Sequence, residues 1–116
     1  MKVIANLFKI LSDENRLRII LMLKARSLCV CEIYEVLDIA LSTLSQHLKL
    51  MKNSGYITDQ KEGRWVIYSM NSGNDFLKRV VEFLEQELTD NERFVQDRRM
   101  IDSITREICS KKLPKK

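Results

Sequence analysis

The sequence predicts a mainly helical fold with one β-hairpin, on the basis of three observations. The chain has 116 residues with only 3 glycines and 1 proline, a composition that favours long helices. Apolar residues recur at helical spacing before residue 53 and again after residue 73. Between these regions lie two short segments rich in β-branched and aromatic residues, separated by a polar turn. The predicted order is α-α-α-α-β-β-α-α.

The first two helices are predicted from apolar spacing and from a polar break between them. The break is Ser12-Asp13, and these residues can cap the second helix. The apolar residues of the first helix are Ile4, Leu7, Phe8 and Leu11, and those expected to face inward in the second are Leu17, Ile20, Leu21 and Leu23.

The next two helices are predicted to be short and closely connected. One runs from about Cys31 to Leu37, and the other runs from an N-cap at Ser42 to Lys52, after which Gly55 supplies a left-handed residue. Two helices joined by a tight turn are typical of a helix-turn-helix, whose second helix enters the major groove of DNA N-terminus first.

The predicted hairpin pairs residues 56–60 with residues 65–70 through the polar turn 61–64. A long helix follows Gly73, and a last helix begins near Thr89-Asp90 and runs towards Ile108. This order is that of a winged helix-turn-helix with an added helix at each end. The first and fifth helices carry apolar stripes wider than one small domain can readily cover. We therefore expect a homodimeric winged helix-turn-helix domain for DNA binding and dimerisation over residues 1–110 and a basic tail over residues 111–116.

Charge and apolar content limit the class of protein. The formal net charge is +4, and the excess positive charge falls on residues 42–68 and on the tail, where phosphates can be met. The longest apolar run, residues 19–23, is far too short to span a membrane, and no segment has the layout of a signal peptide. We therefore expect a cytoplasmic protein with reduced thiols, in which closely spaced cysteines indicate ion ligands or redox chemistry.

The outward face of the fourth helix carries hydroxyls, an amide, an imidazole and a base, with no carboxylate. Gln46 can pair with adenine, and the hydroxyls can contact bases or phosphates. The alternative is an ordinary solvated helix, but the absence of acids next to a basic hairpin tip favours DNA binding. The candidate DNA-binding residues are Ser42, Thr43, Ser45, Gln46, His47 and Lys49 on the helix, and Lys61 and Arg64 at the hairpin tip.

Four segments in order resemble the ArsR/SmtB family of bacterial metal- and metalloid-sensing repressors. They are residues 13–20 (DENRLRII), 28–33 (LCVCEI), 42–48 (STLSQHL) and 63–68 (GRWVIY), which are similar to the opening signature, the arsenic-sensor cysteine box, the recognition helix and the wing. The resemblance implies a homodimer that represses an operon from an inverted-repeat operator until an ion releases it from DNA.

Cys29 and Cys31 are the first candidate ligands for such an ion. In a regular helix, residues two apart point roughly 200° apart, so gripping one ion requires the backbone at Val30 to leave regular geometry. This distortion would fray the helix that supports the recognition helix and so weaken DNA binding. A helix N-terminus is also expected to lower the thiol pKa. The alternative is that both cysteines are small buried hydrophobic residues.

Two thiolates favour the thiophilic ions As(III) or Sb(III) as inducers. We expect folding to need neither ion. In the closest sensors the box resembles Cys-x-Cys-x-x-Cys, but Tyr34 stands at the third place here. Cys109, the only other thiol, either completes the site, from the same chain or from the partner, or is idle. No cysteine precedes Cys29 and no histidine lies in the last two helices, which counts against the family's cadmium/lead and zinc sites.

Three other functions compete with a metalloid sensor. Oxidation of Cys29 or Cys31, through a bond between subunits or a bond to Cys109, would make the protein a redox-sensing regulator. A thiol oxidoreductase lacks its usual Cys-x-x-Cys motif here, and we do not expect an enzyme. A winged helix that binds only protein does not explain the acid-free helix face.

Overall fold

The structure, a computed structural model, describes residues 1–105 as six helices and three short strands. The predicted mainly helical winged fold is confirmed, with one strand added. The elements are α1 (Lys2–Leu11), α2 (Glu14–Ala25), β1 (Leu28–Cys29), α3 (Val30–Leu37), α4 (Leu41–Asn53), β2 (Ile57–Glu62), β3 (Trp65–Met70), α5 (Asp75–Glu87) and α6 (Glu92–Ser103). Among these helices none is long and apolar enough to cross a membrane.

The sheet has three antiparallel strands in the order β1-β3-β2. β1 was not predicted, because two residues are too few to show a strand pattern. It exists through its pairing with β3, which sets Leu28 opposite Tyr68 and Cys29 opposite Ile67. The hairpin of β2 and β3 turns at Gly63, whose φ of +61° lies in the left-handed region that glycine adopts freely. We call this hairpin the wing.

The helix ends correct some predicted boundaries. Asp13 caps α2 as predicted, accepting the backbone N–H of Arg16 at 3.1 Å. The predicted N-cap at Ser42 is wrong: the N-cap is Ala40, two residues earlier, and α4 has no side-chain cap. α6 begins later and ends sooner than predicted. It begins after Asn91, which accepts the N–H of Phe94 at 3.0 Å, and it ends at Ser103.

One hydrophobic core joins all six helices, with α2 at its centre. Ile19, Ile20 and Met22 of α2 are almost completely buried. The inner faces of α3 and α4 meet this core through Ile33, Val36, Leu37, Leu44, Leu48 and Met51. Because both helices of the helix-turn-helix share one close-packed core, the position of α4 depends on that of α3.

Candidate thiol site and nucleic-acid interface

The sulfur atoms of Cys29 and Cys31 lie 2.7 Å apart, at the junction of β1 and α3. Both cysteines are buried, and neither forms a disulfide bond. Cys29 is extended, with φ −82° and ψ 164°, and precedes the first turn of α3, whereas Cys31 lies within that turn. The prediction that α3 must fray before the two sulfurs can meet is therefore wrong. The angle between residues of a regular helix does not apply when one residue lies outside the helix.

Glu32 fixes the backbone of this junction. Its Oε1 accepts the backbone N–H of Cys29 at 2.9 Å, while the backbone N–H of Glu32 points to the Cys29 sulfur, which completes a capping box. Its Oε2 accepts a hydrogen bond from Nη2 of Arg26 at 2.8 Å. The Glu32 side chain is only 5% exposed, so this buried carboxylate is satisfied by a charged partner. Our sequence reading missed Glu32, although its spacing of three residues from Cys29 is that of a capping box.

Burial raises the pKa of the Cys29 thiol to about 12. The hydrogen bond with Cys31 contributes to this raised pKa, and the contact with the backbone N–H of Glu32 opposes it. The expected lowering of the thiol pKa by the helix N-terminus is therefore wrong, because removal from water outweighs the helix N–H groups. Cys29 is a neutral thiol at pH 7, and a ligand that binds its sulfur must displace a proton.

The two thiols lie in a small apolar cluster whose other members come from β3 of the wing. Ile67 is buried with them, and Trp65 packs against the same cluster from a half-buried position. Tyr34, at the third place of the family's cysteine box, packs instead on the main core. Within residues 1–105 no group of three or more His, Cys, Asp or Glu residues could hold a metal ion. Cys109 lies outside the described residues.

Arg26 also connects the thiol site to the end of α6. Besides binding Glu32, its Nη2 donates to the carbonyl oxygens of Ile101 at 2.7 Å and Ile104 at 3.3 Å. Arg18 of α2 ion-pairs with the buried Asp97 of α6 at 2.9 Å. The last described residues of the chain therefore lie beside the helix that carries the thiols.

The outward face of α4 is polar and free of acids, as the sequence indicates. Five of its six candidate residues are exposed, as are Lys61 and Arg64 on the wing. The exposed five are Ser42, Thr43, Ser45, Gln46 and Lys49.

His47 does not share this outward face, which corrects its predicted orientation. Its side chain is 13% exposed and lies against the N-terminus of α2. Its Nδ1 is 3.3 Å from Nη1 of Arg16, and its Nε2 is 3.9 Å from a carboxylate oxygen of Asp13. The reason is angular: His47 follows the buried Leu44 by three residues and so borders the inner face of α4.

A second exposed surface, formed by α1 and α5, is apolar. Phe8 is 60% exposed and Phe83 is 59% exposed, and both line a groove between the two helices. Large aromatic side chains seldom stay in water in such a continuous patch. We call this surface the α1/α5 face.

Comparison with known proteins places these features in a family. Residues 13–59 match the profile of a family described as bacterial regulatory protein, arsR family. The arsenical resistance operon repressor of Escherichia coli (strain K12) is 46% identical over 66 residues, which are 56% of each chain. The cadmium resistance transcriptional regulatory protein CadC homolog of Staphylococcus aureus is 38% identical over 86 residues, covering 72% of this chain and 69% of that protein.

A solved structure supports the same relationship. HlyU from Vibrio cholerae superimposes with a TM-score of 0.69 at 30% identity, covering 73% of this chain and 90% of that chain. The match to the E. coli repressor is shorter and spans about half of that protein's length.

Proposed function

Because this chain belongs to the ArsR family of bacterial regulatory proteins, we propose that it is a DNA-binding transcriptional repressor released by a thiophilic metalloid, As(III) or Sb(III). The observation that carries the proposal is the 2.7 Å contact between the sulfurs of Cys29 and Cys31. These thiols stand at the start of α3, the first helix of the helix-turn-helix. The E. coli relative, described as an arsenical resistance operon repressor, carries the same type of function.

DNA binding is assigned to the exposed face of α4 and to the tip of the wing. Short hydroxyl side chains and Gln46 suit base edges in the major groove, and Lys49, Lys61 and Arg64 suit phosphates. We assign no base contact to His47 in the orientation described above.

Dimer formation is assigned to the α1/α5 face. A two-fold axis through this face would bury Phe8 and Phe83 of both copies. Two recognition helices about one helical turn of DNA apart read an inverted repeat. The partners proposed are therefore a second copy of this chain and a palindromic operator.

Two sulfurs in contact suit a soft ion better than a hard one. Cys29 and Cys31 supply two ligands, and trigonal As(III) or Sb(III) requires a third. We assign Cys109 as this third ligand. Ile104, whose carbonyl binds Arg26 beside the site, precedes Cys109 by five residues, a length of chain that spans up to about 17 Å.

Ion binding weakens DNA binding only if the ion prefers a state that fits DNA less well. An ion with bonds of about 2.3 Å to each of two sulfurs holds them more than about 3 Å apart at ordinary bond angles. An ion seated between these buried sulfurs takes up volume, so β1, the first turn of α3 or both must yield. A shift of β1 reaches the wing through the sheet that both share, and a shift of α3 reaches α4 through the core that both share.

The test is fluorescence anisotropy on a labelled fragment of the protein's own promoter, in reductant, with and without arsenite. We expect salt-sensitive binding that arsenite abolishes. The double variant Cys29→Ser, Cys31→Ser should bind the same DNA and ignore arsenite, and Cys109→Ser should need more arsenite than the wild type. Absence of DNA binding would overturn the repressor, and arsenite release of the double variant would overturn the thiol site.

A redox-sensing regulator is the second candidate, favoured by the same sulfur contact. Two thiols would lose two protons and two electrons to a peroxide, which becomes two waters or water and an alcohol, and would leave a disulfide. The high pKa of Cys29 opposes this function, because the thiolate is the reactive species. Peroxide that releases DNA in the absence of reductant, where arsenite in reductant does not, would favour it.

A further inference from the structure

We propose that the wing is the output element of the thiol pair, with Trp65 carrying a change at the sulfurs to Arg64 at the hairpin tip. This inference rests on the proposed function and names the route by which the same site is regulated. It differs from a route through the core, in which α3 would push directly on α4.

The first contact of this route joins the sulfurs to β3. Cys29 stands opposite Ile67 in the β1–β3 pair, and Trp65 lies two residues before Ile67 on the same face of the strand. Cys29, Cys31 and Ile67 are buried together, and the Trp65 ring packs against them. The immediate apolar neighbours of the sulfurs therefore belong to the wing.

The second contact joins the same ring to the hairpin tip. The guanidinium carbon of Arg64 lies 4.5 Å from the centroid of the Trp65 ring. A cation over an indole face at this distance is attracted to it, so the ring restricts the directions that an exposed arginine adopts. A displaced Trp65 ring therefore moves or frees the Arg64 side chain.

The separation of the two apolar clusters favours this route over the core. Ile33, Val36 and Leu37, through which α3 meets the core shared with α4, do not belong to the thiol cluster. An ion added between packed sulfurs takes up volume, and close-packed neighbours must yield. Trp65, half-buried at the border of the cluster, has room to yield, whereas the buried residues of the main core do not.

The first experiment uses the natural fluorophore, because Trp65 is the only tryptophan in the sequence. Arsenite in reductant should shift the emission of the wild type and leave that of the double variant Cys29→Ser, Cys31→Ser unchanged. An arsenite titration that releases DNA without changing Trp65 emission would overturn the route and leave the proposed function intact.

The second experiment compares Trp65→Leu with Trp65→Phe and with Val66→Leu. Val66 is exposed and points to the opposite face of β3, so its variant controls for a change in the strand itself. For the wild type and Val66→Leu we expect arsenite to weaken operator binding by a factor within the range of about 5–150 typical of coupled sites. Trp65→Leu should still fold, as measured by circular dichroism, and should still bind arsenite, as measured by protection of its thiols. Arsenite should nevertheless weaken its operator binding by only a small part of the factor seen for the wild type.

Trp65→Phe keeps an aromatic face and should retain an intermediate response, and it replaces Trp65→Leu if the latter does not fold. Full release of both Trp65 variants by arsenite would overturn the route through the wing. Failure of the wild type to respond to arsenite would overturn both this inference and the metalloid function on which it rests.

Discussion

The carboxylate of Glu32 accepts the backbone N–H of Cys29 at 2.9 Å and, through its other oxygen, the guanidinium of Arg26. One buried carboxylate thus sets the extended conformation that brings the Cys29 sulfur to Cys31. The same arginine holds the carbonyl groups at the end of α6. The geometry of the thiol pair consequently depends on groups that bind no ion.

Glu32→Gln tests this dependence. Glutamine keeps one oxygen for the N–H of Cys29 but presents an amide to Arg26, so the ion pair is lost. We expect the free energy of unfolding to fall by about 1–3 kcal/mol, measured by urea denaturation. Glu87→Gln, an exposed position on α5, is the control and should change stability by less than about 0.5 kcal/mol. Equal effects of the two substitutions would contradict the role of Glu32.

Phe83→Glu tests the α1/α5 face as the dimer interface. A carboxylate placed in an apolar interface loses its hydration without gaining a partner, which costs several kcal/mol. We expect a monomer at micromolar concentration by sedimentation velocity, and operator binding at least about 10-fold weaker. Lys78→Glu places a carboxylate at an exposed position of the same helix that does not line the groove, and it should remain a dimer. A dimeric Phe83→Glu variant would place the interface elsewhere.

The fold could be predicted because its signals are local. Apolar spacing identifies α1, α2 and α5, and a run of β-branched and aromatic residues identifies β3. The acid-free face of α4 could also be predicted, since a helix alternates its faces with a known period. Local signals also identify the cap at Asp13, whose side chain bonds three residues ahead.

Several features that the sequence did not predict depend on tertiary contacts. β1 is held by residues almost forty positions away, and this pairing, together with the Glu32 hydrogen bond, keeps Cys29 extended. The raised pKa of the Cys29 thiol follows from the burial of its side chain, and no sequence motif indicates that burial. The inward turn of His47 reflects the neighbouring N-terminus of α2. In each case the determining partner is distant in the chain.

Lys49→Ala tests the assignment of α4 to the DNA surface. Removing one phosphate contact should weaken binding to all DNA sequences similarly and reduce the slope of log K against log salt by about 1. Lys78→Ala, an exposed lysine on α5, has the same charge change away from this surface and should leave the slope unchanged. Anisotropy titrations at several salt concentrations give both slopes. The assignment fails if the two variants behave alike.

The raised pKa of Cys29 leads to a different pH dependence for two ions that bind the same thiols. With a pKa of about 12, this thiol is fully protonated at neutral pH, and Cd(II), used as a probe, must expel its proton to solvent. Cadmium affinity should therefore rise about tenfold per pH unit between about pH 6 and 8 for this proton alone.

Arsenous acid brings a hydroxide for each thiol proton that it displaces, so water leaves and no proton is released. We therefore expect arsenite affinity to be nearly independent of pH over the same range. Cys29→Ser should reduce the cadmium slope by about one proton, because the remaining titration belongs to other groups. Calorimetric titrations in buffers of different protonation enthalpy count the protons directly. Arsenite binding that takes up about one proton, together with cadmium binding that releases about one proton fewer, would show that Cys29 is already a thiolate, contrary to its burial.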